Sequence, residues 1–384
     1  MSDLNTLFFE GQCKREQSQA CLNSAECSLS SIFYQLIRVA IGTQESLSRL
    51  PSEAEWEKLF EMAVKQSLVG ICFSGLHRPG ADLDEGYVQI GMSEDLFFDW
   101  MGMAAQISMK NDLVNEQCVE LQKRLAADGF CSCVLKGQSV AALYGEELCG
   151  FRQSGDIDLW VDAPKKDVVD WAKKVGVTEK PGYLHVGVSC FEDTSVELHY
   201  RPSYLRSFRH NRRLQKFCES HKADWTERNG IVVPSWEFDV VYQLSHIYRH
   251  LFGLGVGLRQ LMDYYFVLRA SNSNSNSNES LKRTLSSVGL YNFAGAVMYV
   301  MRDVFGLDGR YMTCPVDEKR GRMLLEQVMQ TGNFGHLDEK QKAARRTTAG
   351  NMKYKLSQWW KLLRFYPEET LSAPLWSVIN RWMK

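Results

Sequence analysis

Residues 152–161 read R-Q-S-G-D-I-D-L-W-V, and from position 156 acidic and apolar side chains alternate. A period of two marks a strand with unlike faces. Asp156 and Asp158 then point to one face, while Ile157 and Leu159 turn into a core. Two carboxylates held side by side repel each other. A hard divalent cation between them makes the arrangement favourable. Mg²⁺ takes oxygen ligands, commonly one or two carboxylates plus substrate phosphates. Arg152, just upstream, can meet a phosphate, and Gly155 lets the backbone come close to a ligand.

The surroundings of this strand read as a small α/β block. Phe130 to Leu135 is a short apolar strand closed by Lys136-Gly137. Gln138 to Leu148 and Pro164 to Val175 read as helices. Tyr183 to Phe191 and Ser195 to Tyr200 are two further strands, joined by a Glu192-Asp193-Thr194 turn. In S-V-E-L-H-Y, Glu197 sits between Val196 and Leu198 on a strand that otherwise alternates cleanly, and His199 shares its face. Glu197 is the natural third carboxylate of a two-metal site.

Helical patterns lie on both sides. Ile32, Phe33, Leu36, Ile37, Ala40 and Ile41 form one stripe, and Trp56, Leu59, Phe60, Ala63 and Val64 form another. Residues 79–92 form a connection. Ser93 then precedes Glu94 and Asp95, as an N-cap with first-turn acids would. Leu96, Trp100, Met103, Ile107, Val114, Cys118, Leu121 and Leu125 predict one long helix, stopped at Asp128-Gly129. Beyond the block, Trp236 to Phe252 and Leu258 to Leu268 are helical, Ser271 to Asn278 is a low-complexity flexible loop, and Leu281 to Lys384 is mostly helical. The expected organisation is a flexible lead at 1–30, helices at 31–129, an α/β core at 130–235 and a helical domain at 236–384.

Composition bounds the function. With 384 residues, 45 basic and 46 acidic side chains, the net charge is −1. That argues against a protein that coats nucleic acid along its surface. Two acid-free basic runs, from Arg201 to Lys216 and from Lys340 to Pro367, admit an anionic acceptor or a nucleic acid without favouring either. No apolar run reaches the ~20 residues of a membrane span, and the N-terminus does not read as a secretory signal. Eleven cysteines, an odd number without a CxxC pair, read as reduced core residues of a cytoplasmic protein.

Asp239, Gln243, His246 and His250 fall along one polar side of the helix after Trp236. That face is expected to look across a cleft at the Asp156/Asp158 strand, and ligand clefts commonly enclose ~300–1,000 Å³. A zinc role for His246 and His250 is weak without a metalloprotease glutamate. Arg259 and Asp263, four apart, read as a helix-surface pair. Gly253, Gly255 and Gly257 lack the preceding strand of a dinucleotide fingerprint.

L-K-G at Leu135 to Gly137, R-x-x-G-D-I-D-L-W-V from Arg152, and V-E-L-H from Val196 together resemble the DNA polymerase β-type nucleotidyltransferase superfamily. More narrowly they resemble a poorly characterised bacterial nucleotidyltransferase family that opens with L-K-G and keeps a helical C-terminal half. H-x-x-x-H at His246 and His250 and G-L-R-Q-L-M-D from Gly257 to Asp263 are similar too. The resemblance implies an α+β fold: a small mixed sheet, N-terminal helices and a C-terminal helical domain. It implies Mg²⁺-dependent transfer of a nucleoside monophosphate from an NTP to an acceptor, with pyrophosphate leaving. Asp156, Asp158 and Glu197 would be the catalytic metal ligands of a two-metal site. Lys136, Gly137, Ser139, Arg152, Gly155, His246, His250 and Arg259 would surround the nucleotide. Gln138 stands where the superfamily keeps a small residue, so the Ser139 hydroxyl, the Lys136 ammonium and helix N-terminal amides all stay open as phosphate contacts. The acceptor, whether small molecule, sugar, protein or RNA, is left open. The rival expectation is a non-catalytic nucleotide-binding or protein-interaction module on the same fold.

Overall fold

The computed structural model describes residues 29–76, 90–253, 255–270, 275–333 and 348–382. The polar lead before residue 29, most of the 79–92 connection, the first half of the Ser/Asn run and the basic stretch before 348 lie outside the described residues.

The N-terminal helices are α1 (29–40), α2 (Glu53–Gln66), α3 (Val69–Ser74) and α4 (Glu94–Ala127). The long helix α4 ends as its sequence dictates, with Gly129 at φ +84° and the Phe130 amide donating to the Leu125 carbonyl. It serves two cores. Phe97, Trp100 and Ala104 join the larger core, and Val114, Cys118, Leu121 and Leu125 pack under the sheet. Met103, expected in the stripe, is exposed instead. Trp100 is fully buried and its indole N–H donates to the Val69 carbonyl at 2.9 Å. Burial of a large apolar side chain stabilises by about 1.5–3 kcal/mol.

The sheet strands are β1 (Ser132–Val134), β2 (Ile157–Val161), β3 (Val177–Glu179), β4 (His185–Val188) and β5 (Val196–His199), in the order β1-β2-β5-β4-β3. β2 and β5 are parallel and the other neighbours antiparallel, so the sheet is mixed. The parallel pair needs a crossover, which helix α6 (Lys165–Val175), β3 and β4 provide. Ile157 and Leu159 face the smaller core with Val168 and Trp171 of α6. The register sets Asp158 beside Glu197 and His185 beside His199.

Two local expectations are corrected here. The segment 138–148 is not one helix. It is a four-residue turn, α5 (Gln138–Ala141), followed by 3₁₀ turns at Ala142–Tyr144 and Cys149–Phe151. Gly145 at φ +79° breaks the run, a conformation that favours glycine. The link between β4 and β5 spans residues 189–195 rather than a three-residue turn.

After β5 come α7 (Phe208–Ser220) and a hairpin of β6 (Thr226–Arg228) and β7 (Ile231–Val233). The helical half follows: α8 (Trp236–Leu251), α9 (Leu258–Arg269), α10 (Ser275–Ser287), α11 (Tyr291–Asp303), α12 (Glu318–Thr331), α13 (Thr348–Phe365) and α14 (Pro367–Trp382). Ser275 to Asn278 thus begin a helix, where a flexible loop was expected. Ser and Asn are only modestly poorer helix formers than the rest, and the buried Leu281 and Leu285 anchor the turns that follow.

The larger core draws from all parts of the chain, including Trp56, Trp100, Cys133, Trp160, Phe238 and Phe305. In the C-terminal tail, Trp376 is buried and stacks on Tyr204 with ring centroids 4.9 Å apart. All cysteines among the described residues are free; Cys131 is exposed and Cys133 buried. Among the described residues, no helix is long and apolar enough to cross a membrane.

Candidate active site

Asp158, on the central strand, is only 1% exposed, while Asp156, just before the strand, is 37% exposed. Glu197 lies beside Asp158 on the neighbouring parallel strand. Single carboxylate oxygens of Asp156, Asp158 and Glu197 all lie within 4.8 Å of one another. The convergence expected from sequence is therefore present.

These acids are not left bare. The Lys136 ammonium lies 2.9 Å from Asp158 Oδ2 and 4.0 Å from Asp156 Oδ2. His199 Nε2 lies 2.9 Å from Asp158 Oδ1 and 3.2 Å from Glu197 Oε2. His185 Nδ1 lies 3.0 Å from the same Glu197 oxygen. Burial opposes the charge on Lys136, but Asp158, Asp156 and Glu197 outweigh it and raise its pKa. Burial likewise opposes the His199 imidazolium, and Asp158 and Glu197 reverse that effect. Asp158 pushes the Asp156 carboxyl up, with Lys136 acting against it. Burial acts to raise the Glu197 pKa, yet the His185 and His199 rings hold it well below the usual carboxylate range. Three carboxylates outnumber the one Lys136 ammonium among them, so acid is in excess at the site.

The opposite wall is basic. Arg152 is buried and forks onto Asp263, Nε to Oδ1 at 2.7 Å and Nη2 to Oδ2 at 2.8 Å. Tyr144 donates to the same carboxylate at 2.7 Å. Nη1 of Arg152 is buried without a hydrogen-bond partner. Arg259 is half-buried, and its Nη1 donates to the Gln153 carbonyl at 2.9 Å. Burial first, and then the neighbouring Arg152, lower the Arg259 pKa. Arg259 and Asp263 are therefore not the helix-surface pair expected. The Asp263 carboxylate is committed to Arg152, and two guanidinium groups share one acid.

Lys136, Gly137, Arg152, Gly155, Asp156, Asp158, Gln243, His246 and Arg259 line one cleft. The α8 face thus meets the acidic strand as expected through Gln243 and His246. The cleft encloses only about 20 Å³, room for a water and not for the nucleotide-sized space expected. Gly137 carries φ +69°, and a Cβ at Gly155 would stand in open space. Burial, then His250 and Lys136, push the His246 pKa well below the usual histidine value. Burial, then Arg249 and Lys136, push His250 down to about 3. The His246 and His250 rings stand 4.4 Å apart.

Besides Glu197, three sequence-selected groups, Ser139, Asp239 and His250, do not line this cleft. Ser139 is fully buried and donates its hydroxyl to the Leu135 carbonyl at 2.9 Å, so that hydroxyl faces away from the cleft. Asp239 is buried and does not line the cleft; burial raises its pKa to about 7. The four-residue α5 is too short to present a helix N-terminus to phosphate.

Several site groups escaped sequence reading. His185 could have been found by extending the β4–β5 pairing, which sets it opposite His199. Asn111, buried on α4, donates to the Gly150 and Arg152 carbonyls at 2.6 Å each and so holds the loop before the acidic strand. No local signal marks it, because both partners are about forty residues away.

A second, larger cavity of about 430 Å³ opens on the other flank of Glu197, between β3, β4 and the 189–195 link. Glu179, Glu192, Asp193 and Glu197 are among its lining residues.

Residues 52–306 match the model of a family described as uncharacterised nucleotidyltransferases, and the chain belongs to that family. Among solved structures, an antigenic nucleotidyltransferase-like protein from Paracoccidioides brasiliensis is similar at 14% identity, over 55% of this chain and 97% of that one. Its TM-score is 0.35, too slight a likeness to bear on the site. No curated protein matches the sequence.

Proposed function

We propose that this protein transfers a nucleoside monophosphate from an NTP to an acceptor, with Asp156, Asp158 and Glu197 holding Mg²⁺. The observation that carries the reading is the convergence of these three carboxylates in a family of nucleotidyltransferases. The site fits the ion on chemistry: the donors are hard oxygens, acid is in excess at the site, and an ammonium already rests among the acids as a cation of lower charge. When bound, Mg²⁺ neutralises triphosphate charge and lowers the pKa of an acceptor hydroxyl.

The chain's own groups divide the remaining work. Lys136, 19% exposed, swings from the carboxylates to the phosphates. The unpartnered Nη1 of Arg152, with Arg259 beside it, supplies fixed donors where phosphate charge collects. Asp263 holds the Arg152 fork in place. His246 and Gln243 line the wall from α8 and face the nucleoside. The 430 Å³ cavity receives the acceptor on the far side of Glu197. The narrow cleft opens to admit the donor.

The closed cleft and the Lys136 bridge favour a second reading, a nucleotide-binding module without turnover. Titrating NTP with and without Mg²⁺, then assaying pyrophosphate release, separates the two. Mg²⁺-dependent binding followed by release supports transfer. Binding without release under any acceptor supports the module, and no binding overturns both.

A further inference from the structure

We propose that His185, Glu197 and His199 form a second cation site of mixed nitrogen and oxygen donors, joined to the carboxylate site through Glu197 and suited to Mn²⁺, Co²⁺ or Zn²⁺ rather than Mg²⁺. The inference rests on the metal-dependent reading above and adds the identity of one ion.

One donor atom from each of the three residues lies within 4.8 Å of the others. The two nitrogens stand 3.0 Å and 3.2 Å from Glu197 Oε2. Neighbouring ligands of an octahedral ion with bonds of about 2.1 Å are separated by about 3 Å. The spacing is therefore that of a coordination edge as well as that of a hydrogen bond.

The ring environments favour a bound cation. His199 Nδ1 faces the Arg201 carbonyl at 3.3 Å. A proton on Nδ1 satisfies that carbonyl and leaves the Nε2 lone pair facing Asp158 and Glu197. In that tautomer a cation between the lone pair and the two carboxylates relieves their repulsion, whereas the opposite tautomer donates Nε2–H to them. A ring held by a carbonyl at one nitrogen and metallated at the other is the usual outer arrangement of histidine ligands. His185 repeats the problem. Its Nδ1 is buried, close to Glu197, and makes no hydrogen bond of good geometry. A shared cation resolves both rings, whereas a proton on His199 resolves one.

The donor set selects the ion. Mg²⁺ prefers carboxylate, phosphate and water oxygens, whereas imidazole suits Mn²⁺, Co²⁺ and Zn²⁺ progressively better. His185, on the edge side of β5, is 25% exposed, so the site has an open flank toward solvent.

The test is Mn²⁺ alone added to the full chain, followed by pulsed EPR for ¹⁴N coupling and by titration. The expected result is nitrogen coupling from imidazole, diminished in His185→Ala, with Mn²⁺ affinity falling about tenfold or more and Mg²⁺ affinity unchanged. A melting curve checks that His185→Ala folds; if it does not, the wild-type spectrum decides alone. Mn²⁺ bound by oxygens only would overturn this inference and leave the nucleotidyl-transfer reading standing, with a proton as the cation at His199. No Mn²⁺ binding would overturn the inference, while Mg²⁺-dependent nucleotide binding would still judge the proposed function separately.

Discussion

The ammonium of Lys136 lies 2.9 Å from Oδ2 of Asp158. One residue closes the first strand and the other sits on the second, so the contact ties the L-K-G turn to the acidic strand. The lysine serves the protein as a counter-ion when no divalent ion is present, which leads to the first prediction. Lys136→Met should lower the melting temperature of the metal-free chain, because it leaves a buried carboxylate short of a partner. Mg²⁺ should restore more of that loss than it adds to the wild type. Equal Mg²⁺ stabilisation of both proteins would mean that lysine and metal do not compete for these acids.

The Arg152–Asp263 fork is buried on both sides. Removing one partner of such a pair costs about 3–5 kcal/mol, because the other charge is stranded. Asp263→Ala also takes the acceptor from Tyr144. Urea unfolding should show a loss in that range. A loss below about 1 kcal/mol would show that the fork is solvated in solution.

Asp239 has no hydrogen bond to either carboxylate oxygen among the described residues. Burial raises its pKa from 3.8 to about 7. The folded chain therefore binds this proton more tightly than the unfolded one. The sign follows: the contribution of this group to stability is fully present below about pH 4, is lost as pH rises toward 7, and is level above. The group contributes a fall of up to about 4 kcal/mol. Asp239→Asn should remove that part of the slope in denaturant midpoints taken from pH 4 to pH 8. An unchanged slope would place the titration on other groups.

Gly137 carries φ +69° and ψ −115° at the turn that presents Lys136. Gly137→Ala should destabilise by about 1–3 kcal/mol through backbone strain and weaken Mg²⁺-dependent nucleotide binding as the lysine shifts. Binding and melting unchanged from wild type would show that the turn relaxes freely.

Much of the fold was legible because its signals are local. The D-I-D-L-W-V alternation gives β2, the cap at Ser93 and the stop at Gly129 bound α4, and the apolar stripe after Trp236 gives α8. Asp156, Asp158 and Glu197 were legible because strand period fixes their faces. Of the missed features, some are local turn signals and others have longer reach. The Asn229-Gly230 pair, both at positive φ, is a local two-residue hairpin signal between β6 and β7. Gly145 broke a helix that its apolar spacing alone would allow. The Arg152–Asp263 fork joins residues 111 positions apart, and no spacing rule finds it. His185 becomes visible only once the register of two strands is known.

The central claim is that the clustered carboxylates serve nucleotidyl transfer, and Asp156 tests it most cleanly, being the exposed member of the three. The measurement is transfer of α-labelled NMP with release of pyrophosphate, run with Mg²⁺ for wild type and Asp156→Asn beside thermal melts. Transfer should fall about 10²–10³-fold in Asp156→Asn while the melting temperature stays near wild type. Transfer at the wild-type rate in Asp156→Asn would contradict the role given to these carboxylates.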